Sequence, residues 1–274
     1  MIEVDGDLTP EVPDGVDPGV AHQARVYDYW LGGRVNFPVD REVAERVLAA
    51  FPGQRLRVVA SRAFLARVVR YLTRTAGVDQ FIDLGSGLPS MNNVHQVAQA
   101  VNPAARVVYV DNDPIVLAHA KSLLTGTEGG VTDFVQADLR FPQRVLAAAA
   151  DTVDLTRPVG LLAFGVLHLI QDAEDPWSIV AEYMAALAGG SYVAISHPAI
   201  DINPGQQEAQ RRYNERVATP QTLRDRVGVA RFFTGLDLVE PGLVQVHQWH
   251  PDPGADGDLP ADFASAHGGL ARKR

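Results

Sequence analysis

The sequence predicts an α/β fold in which a mostly parallel sheet carries helices on both faces. Between residues 80 and 198, short apolar segments alternate with segments of helical periodicity. This alternation is typical of doubly wound sheets, because parallel strands need a crossover connection between them. The predicted strands are 80–84, 106–111, 132–136, 159–164 and 191–196, and the predicted helices are 90–101, 114–124, 142–150 and 176–187.

The flanking segments extend this unit to one domain over 21–251. Residues 21–76 have helical patterns and are predicted to form an N-terminal helical cap. An insertion at 199–218 is predicted to lie over the active face. Two short β-like runs around a Pro-Gly turn follow at 236–250.

Two consecutive strand ends carry the motif that best indicates a ligand. FIDLGSG at 81–87 joins an apolar strand to a turn containing Gly85 and Gly87. Glycine lets backbone approach a ligand closely, because it adopts positive φ and has no Cβ. RVVYVDNDP at 106–114 ends its strand in Asp111, whose carboxylate can accept hydrogen bonds from both hydroxyls of a ribose. The pair predicts the nucleoside-binding half of a Rossmann-like sheet.

Departures from the dinucleotide motif indicate which nucleoside binds. Ser90, preceded by Pro89, stands where G-x-G-x-x-G has its third glycine, so a pyrophosphate is poorly accommodated at the first helix turn. Asp83 has the wrong charge for a site that must hold a diphosphate. S-adenosylmethionine (SAM) carries a sulfonium, an ammonium and a ribose, so acids at Asp83 and Asp111 suit SAM better than NAD.

Five segments of the chain resemble the class I SAM-dependent methyltransferases, and in particular an actinobacterial branch whose substrates are mostly unknown. The resemblance covers the chain from about Ala24 to about Pro251. It implies a Rossmann-like class I methyltransferase fold with a mostly parallel, seven-stranded sheet, whose edge 236–250 would close as an antiparallel hairpin. The segments are ARVYDYWLGG (24–33), FIDLGSGLPS (81–90), VVYVDNDPIVLAHA (107–120), VQADLR (135–140) and ARFFTGLDLVEPGLV (230–244).

The resemblance extends the predicted cofactor site along the strand ends. It implies Asn112 beside the adenine edge, Asp138 at the adenine amino group and the backbone N–H of Leu139 at a ring nitrogen. Asp83 and Asp138 could instead cap the helices that follow them, and Asp111 could be a surface residue. The predicted cofactor-binding residues at strand ends are Asp83, Gly85, Ser86, Gly87, Asp111, Asn112, Asp138, Leu139 and Phe164.

Three residues of the helical cap are further candidates for cofactor binding. Tyr27 lies in an aromatic cluster and could close over the sulfonium or the carboxylate end of SAM, although such clusters are usually core. Arg34 and Arg62 could each bind the methionine carboxylate, since guanidinium forms bidentate pairs with carboxylates. The alternative for both arginines is a solvated helix face.

Two histidines lie at the carboxyl ends of predicted central strands and are the candidate catalytic residues. His168 and His197 could face an acceptor there, and a neutral imidazole can take a proton from an attacking hydroxyl or amine. Each could equally be a wall residue. His168, Asp172, Glu174 and His197 could also be assembled into a metal site, but they match no H-x-x-x-H or H-E-x-x-H spacing, so no metal is predicted.

Composition narrows the class of protein. The 274 residues are 46% hydrophobic and include no cysteine, which excludes a disulfide framework and thiol chemistry. Because 33 acidic residues outnumber 24 Lys and Arg, nucleic-acid binding is not expected. There is no apolar signal-peptide core or membrane span, so a cytoplasmic location is predicted. Residues 1–20 and 252–274 are poor in apolar residues, which predicts two disordered tails.

These observations predict a SAM-dependent methyltransferase that transfers a methyl group to a small-molecule acceptor by direct displacement. Three alternatives stay open at this point. A non-catalytic SAM-binding regulatory module would keep the acids and glycines of the cofactor site. An NAD(P)-dependent oxidoreductase is disfavoured by Asp83 and Ser90, and a nucleic-acid or protein methyltransferase is disfavoured mainly by the acidic balance. Oligomeric state is not predicted.

Overall fold

The computed structural model describes residues 17–90, 92–120, 129–217, 219–252 and 264–274. Most of the predicted N-terminal tail, and the end of the helix predicted over 114–124, therefore lie outside the described residues. None of the described helices is long and apolar enough to cross a bilayer.

Helices flank the sheet in the order that the sequence predicts. The predicted helix over 90–101 begins only at Val94, because Asn93 and Gln96 form a capping box there. The helices are α1 (Gln23–Trp30), α2 (Pro38–Ala50), α3 (Gln54–Arg74), α4 (Val94–Val101), α5 (Pro114–Ala120), α6 (Pro142–Ala149), α7 (Pro176–Ala186), α8 (Gly205–Asn214) and α9 (Arg226–Ala230).

The sheet has eight strands, in the order β3-β2-β1-β4-β5-β8-β6, with β7 also paired to β8. The first five strands are parallel and β8 is antiparallel to β5. The mostly parallel α/β fold is thus confirmed, with one strand more than the seven expected. The strands are β1 (Gln80–Leu84), β2 (Arg106–Asp111), β3 (Val131–Gln136), β4 (Gly160–Phe164), β5 (Tyr192–Pro198), β6 (Asp237–Leu238), β7 (Val244–Gln245) and β8 (Ala266–Arg272).

The additional strand arises because one edge of the sheet is interrupted. β6 pairs with the end of β8 and β7 with its beginning, while Pro241 and Gly242 lie between the two short strands. Proline has no N–H to donate, and Gly242 adopts a φ of +86°, so neither continues the ladder. The prediction of an antiparallel hairpin over 236–250 is therefore wrong, because β6 and β7 pair with β8 and not with each other.

The prediction of a disordered tail over 252–274 is wrong for its last part, where β8 lies inside the sheet. A Cβ on Gly268 would lie 2.7 Å from Cε1 of Phe64, so the absence of a side chain lets α3 approach the strand. Glycine is rare in strands, so a segment that contains Gly268 and Gly269 is not predicted from its sequence to be a strand.

Two apolar layers cover the sheet and a third cluster forms beside its carboxyl end. Phe64, Leu65 and Val68 of α3 are fully buried against one face. The opposite layer includes α6 and α7. The third cluster joins α1, α2 and α8, and includes Trp30 and Tyr213. It stands over the strand ends, where ligands bind in open α/β sheets.

Candidate active site

One cavity lies at the carboxyl ends of β1, β2, β4 and β5. Its lining runs from the turn after β1 to Tyr213 of α8 and Gln221. The cavity therefore joins the predicted cofactor residues to the helices beside the sheet.

The glycine turn after β1 has the geometry that the motif predicts. Gly85 and Gly87 both adopt a φ of +65°. The N–H groups of Gly85 and Ser86 donate to the carbonyl of Val110 at 2.8 and 3.1 Å, which fixes the turn on β2. A Cβ on Gly85 would lie 2.2 Å from Val166, whereas Gly87 has open space beside it. Ser86 Oγ is buried without a hydrogen-bond partner among the described residues, as expected of a group reserved for a ligand.

Asp111 is held in place at the end of β2 by backbone donors. Its Oδ2 accepts the Gly87 N–H at 2.8 Å and its Oδ1 accepts the Asp113 N–H at 3.0 Å. Burial raises the pKa of the Asp111 carboxyl, and the two hydrogen bonds act against that rise. Each oxygen keeps a lone pair with which it can accept a ribose hydroxyl. Asn112, beside it, is exposed and lines the cavity.

Asp83 lies deeper than the other predicted cofactor residues. It lines a small pocket beneath the turn, which shares Arg62, Ser86 and Gly87 with the main cavity. Burial raises the pKa of Asp83 to about 7, while the charge of Arg62 opposes the rise and that of Asp111 adds to it. Asp83 is therefore close to half-ionised at neutral pH, and a nearby cation would favour its carboxylate form.

The residues predicted to meet adenine line the same cavity. Both oxygens of Asp138 are already bound by Arg140, whose Nη2 lies 2.7 Å from Oδ2. The carbonyl of Leu139 accepts the Tyr183 hydroxyl at 2.9 Å, and Phe164 packs against Phe64. The contacts of Asp138, Leu139 and Phe164 with a cofactor remain predictions.

The structure separates the three candidates in the cap. Tyr27 and Arg62 line the cavity, and Arg62 Nη2 donates to the carbonyl of Asn92 at 3.0 Å. Arg34 is exposed and does not line the cavity, which agrees with the alternative of a solvated position, and its cofactor-binding role stays a prediction. Asp28 accepts the Val35 N–H at 2.9 Å and fixes the loop after α1 in a course that leaves Arg34 outside the cavity.

The two histidines differ in what their ring nitrogens contact. His197 Nε2 lies 2.9 Å from Nη1 of Arg224, which can only donate, so Nε2 is the acceptor and Nδ1–H donates to the carbonyl of Pro198 at 2.8 Å. Burial and Arg224 lower the pKa of His197 to about 3. Both ring nitrogens of His197 therefore have partners within the protein, and its catalytic role stays a prediction.

His168 has a ring nitrogen available for a ligand. Its Nδ1 is buried without a hydrogen-bond partner among the described residues, and its ring meets that of His197 edge-on at 6.0 Å. Burial lowers the pKa of His168 well below its usual value, and the charges of Arg57 and Arg224 lower it further. His168 is thus neutral at pH 7 and can accept a proton or a hydrogen bond.

Sequence analysis missed several residues of this site. Arg57 and Ser61 of α3 line the cavity, and Ser61 Oγ lies 2.7 Å from Ser196 Oγ at the end of β5. Arg224 is 4% exposed and donates to the carbonyls of Leu167 and Ile170 as well as to His197. Helical periodicity places Arg57 and Ser61 on one face of α3, but it does not say that this face meets the cavity.

The two acids among the residues weighed as metal ligands are paired with arginines. Asp172 pairs with Arg224 and Glu174 pairs with Arg140. Within the described part of the chain, no three His, Asp or Glu residues come together in a group that could hold a metal ion.

Comparison with known proteins identifies close relatives. A DUF574 family protein from Streptomyces avermitilis is 40% identical, with a TM-score of 0.90 over 93% of this chain and 98% of the other. A provisionally assigned methyltransferase from Thermobifida fusca is 38% identical, with a TM-score of 0.88 over 96% and 98%. An O-methyltransferase family protein from Burkholderia thailandensis shares the fold, at 13% identity and a TM-score of 0.52 over 80% and 60%. A search of curated proteins gave no match.

The S-adenosyl methyltransferase family model matches residues 10–274. The site fits that cofactor, since it offers open space beside Gly87, a buried Ser86 hydroxyl without a partner among the described residues, and carboxylates at Asp83 and Asp111 that suit a sulfonium cation bearing a ribose. The protein belongs to the S-adenosyl methyltransferase family and is a SAM-dependent methyltransferase.

Proposed function

We propose that this enzyme methylates a small molecule held between His168 and the helices beside the sheet. The observation that carries the proposal is that the cavity is also lined by the buried side chains of Trp30 of α1, Val58 of α3 and Tyr213 of α8. These buried side chains leave room for a compact acceptor, as is typical of small-molecule sites. The acidic net charge of −9 agrees with an acceptor other than a nucleic acid.

The cofactor-binding roles follow from position along the cavity. Asp111 would hold the ribose hydroxyls, while Gly85, Ser86 and Gly87 would face the amino-acid portion of SAM and Asp83 would balance its positive charge. Arg62 would bind the methionine carboxylate beside Tyr27. Asn112, Asp138, Leu139 and Phe164 would surround the adenine.

The chemistry requires little beyond positioning. Bound SAM supplies an electrophilic methyl group on a sulfonium. Residues around His168 would hold the acceptor's lone pair in line with that methyl, and such positioning can account for about 7–11 kcal/mol of the barrier. His168 Nδ1 would take the proton that an acceptor hydroxyl or amine loses as it gains the methyl group.

Methyl-labelled SAM tests this proposal directly. The protein is incubated with labelled SAM and with separate low-molecular-mass, RNA and protein fractions of a cell extract. We expect label in the low-molecular-mass fraction, and none there with the Asp111→Ala variant. Label in RNA or protein would refute a small acceptor, and SAM binding without any transfer would favour a regulatory module. A cytoplasmic location likewise stays a prediction.

A further inference from the structure

Four arginines are buried in the described part of the chain, and one of them lacks the partners that the other three have. Arg25 pairs with Asp40 at 2.7 Å, Arg67 donates to two backbone carbonyls, and Arg224 donates to a carboxylate, two carbonyls and a histidine. Arg57 is only 8% exposed, yet its side chain makes a single hydrogen bond, from Nε to a glutamine oxygen at 3.0 Å. Its terminal nitrogens have no acceptor among the described residues.

An unpaired buried cation is costly, so its position at a cavity indicates a ligand. Burying a charge without a partner is strongly unfavourable, and buried charges in proteins are therefore paired. Burial lowers the pKa of Arg57 to about 10, which still leaves the guanidinium charged at neutral pH. Because Arg57 lines the cavity, an anion that enters the cavity can supply the missing partner.

The position of Arg57 on α3 separates it from the cofactor end. Arg57 and Ser61 are four residues apart and share one helix face, and Ser61 contacts Ser196 at the end of β5. Arg62 lies about 140° around the helix axis from Arg57, and its guanidinium donates to the carbonyl of Asn92 in the loop after β1. The two arginines thus lie near different strand ends. Arg62 is near the end of β1, beside the glycine turn, and Arg57 is on the helix face that meets the end of β5.

We propose that the methyl acceptor is a small carboxylic acid with an apolar body, and that Arg57 binds its carboxylate through both terminal nitrogens. This inference rests on the proposed function and names the acceptor's chemical class. A planar carboxylate matches the guanidinium fork. Trp30, Val58 and Tyr213 line the same cavity and suit a hydrocarbon or aromatic body, and one guanidinium suits a monoanion better than a phosphate.

Binding of such an acid would also improve His168 as a base. The charge of Arg57 is one of the factors that disfavour the imidazolium form of His168. A carboxylate on Arg57 offsets that charge, so the acceptor that brings the anion also eases proton transfer from its own hydroxyl or amine. The carboxylate is the anchor in this arrangement and a separate heteroatom is the nucleophile.

Binding of matched acids and amides tests the assignment. The three hydroxybenzoic and three aminobenzoic acids, each with its amide, are titrated calorimetrically into protein saturated with S-adenosylhomocysteine. We expect at least one acid to bind wild type more than tenfold tighter than its amide, and Arg57→Gln to abolish that preference. Arg55→Gln is the matched control, because Arg55 is an exposed cation on the same helix that does not line the cavity.

The proposal is overturned if no acid binds more tightly than its amide, or if Arg55→Gln reduces the preference as much as Arg57→Gln does. Thermal denaturation checks folding: Arg57→Gln should be at least as stable as wild type, because it removes an unpaired charge. Label found in RNA or protein in the transfer assay would refute the proposed function. If wild type binds no acid more tightly than its amide, only the proposal that the acceptor carries a carboxylate is refuted.

A second comparison excludes a cofactor role for Arg57. S-adenosylhomocysteine and its decarboxylated analogue are titrated into wild type and Arg57→Gln. We expect both proteins to prefer S-adenosylhomocysteine by the same factor. If Arg57→Gln erases that preference, Arg57 binds the methionine carboxylate and the proposal is overturned.

Discussion

The two ends of the cavity are built in different ways. The cofactor end is a short run of chain, Gly85 to Gly87 against Asp111, in which backbone N–H groups, positive φ and one carboxylate fix the geometry. The proposed acceptor end combines side chains of α1, α3, α8 and the segment 219–224, which are far apart in sequence. The difference explains why a local sequence motif indicates the cofactor, whereas no local motif indicates the acceptor.

The acceptor end depends on contacts of high sequence separation. The Thr222 N–H donates to the His168 carbonyl at 2.6 Å, and Gln171 Nε2 donates to the Pro220 carbonyl at 2.8 Å. Arg224 fixes the same loop through Leu167 and Ile170. The segment 219–224 therefore positions His168 although it contributes no base of its own.

Replacement of His168 should have the largest effect and should be confined to the acceptor end. Once an acceptor is known, we expect His168→Ala to lower kcat by about 10²–10⁴, the range for loss of a positioned general base, with SAM affinity almost unchanged. His197→Ala is the control, and it should lower thermal stability because it removes a buried ring that accepts from Arg224 and donates to the Pro198 carbonyl. Unchanged turnover in His168→Ala would show that His168 is a wall residue and that transfer depends on positioning alone.

The same contrast separates the parts of the fold and of the site that the sequence predicts from the parts that it does not. The five parallel strands and the turn at Gly85 and Gly87 follow from local patterns, and both are present. β8 was missed because it contains glycine at a position where Phe64 packs closely against the strand. Gly268 and Phe64 are about 200 positions apart, so no local pattern indicates this contact. Arg57 was missed for a similar reason, since its missing partner becomes visible only when the partners of the other buried arginines are known.

Asp111→Ala should change cofactor affinity and leave the acceptor end intact. The variant loses hydrogen bonds to two ribose hydroxyls, each worth about 1.5–3 kcal/mol when the acceptor is charged, so SAM affinity should fall at least tenfold. kcat at saturating SAM should change little. Asp111→Asn is a milder control that keeps one oxygen for the Gly87 or Asp113 N–H.

Calorimetry measures the affinity of both variants for SAM, and circular dichroism checks that they fold. Binding of SAM to Asp111→Ala as tight as in wild type would show that the ribose lies elsewhere. A parallel loss of kcat at saturating SAM would show that the two ends are not separable.

The smallest expected effect is a pH dependence of cofactor binding that originates at Asp83. Its pKa is raised to about 7, mainly by burial, so the free protein holds a proton there below neutrality. The contribution of this group to the stability of the free protein is lost as the pH rises from about 4 to about 7, because the unfolded chain ionises first. SAM brings positive charge and favours the carboxylate form, so binding should release this proton.

Because SAM binding should release the Asp83 proton, SAM affinity should rise about tenfold between pH 5.5 and pH 7 and then level off. Calorimetry in two buffers of different ionisation enthalpy would count the protons released at pH 5.5. Asp83→Asn should bind SAM with little dependence on pH in this range, and it should release fewer protons. If Asp83→Asn keeps the full tenfold rise, the titrating group is not Asp83 but another one, such as Asp111, whose pKa burial also raises, and the charge of the cofactor is balanced at β2 and not beneath the glycine turn.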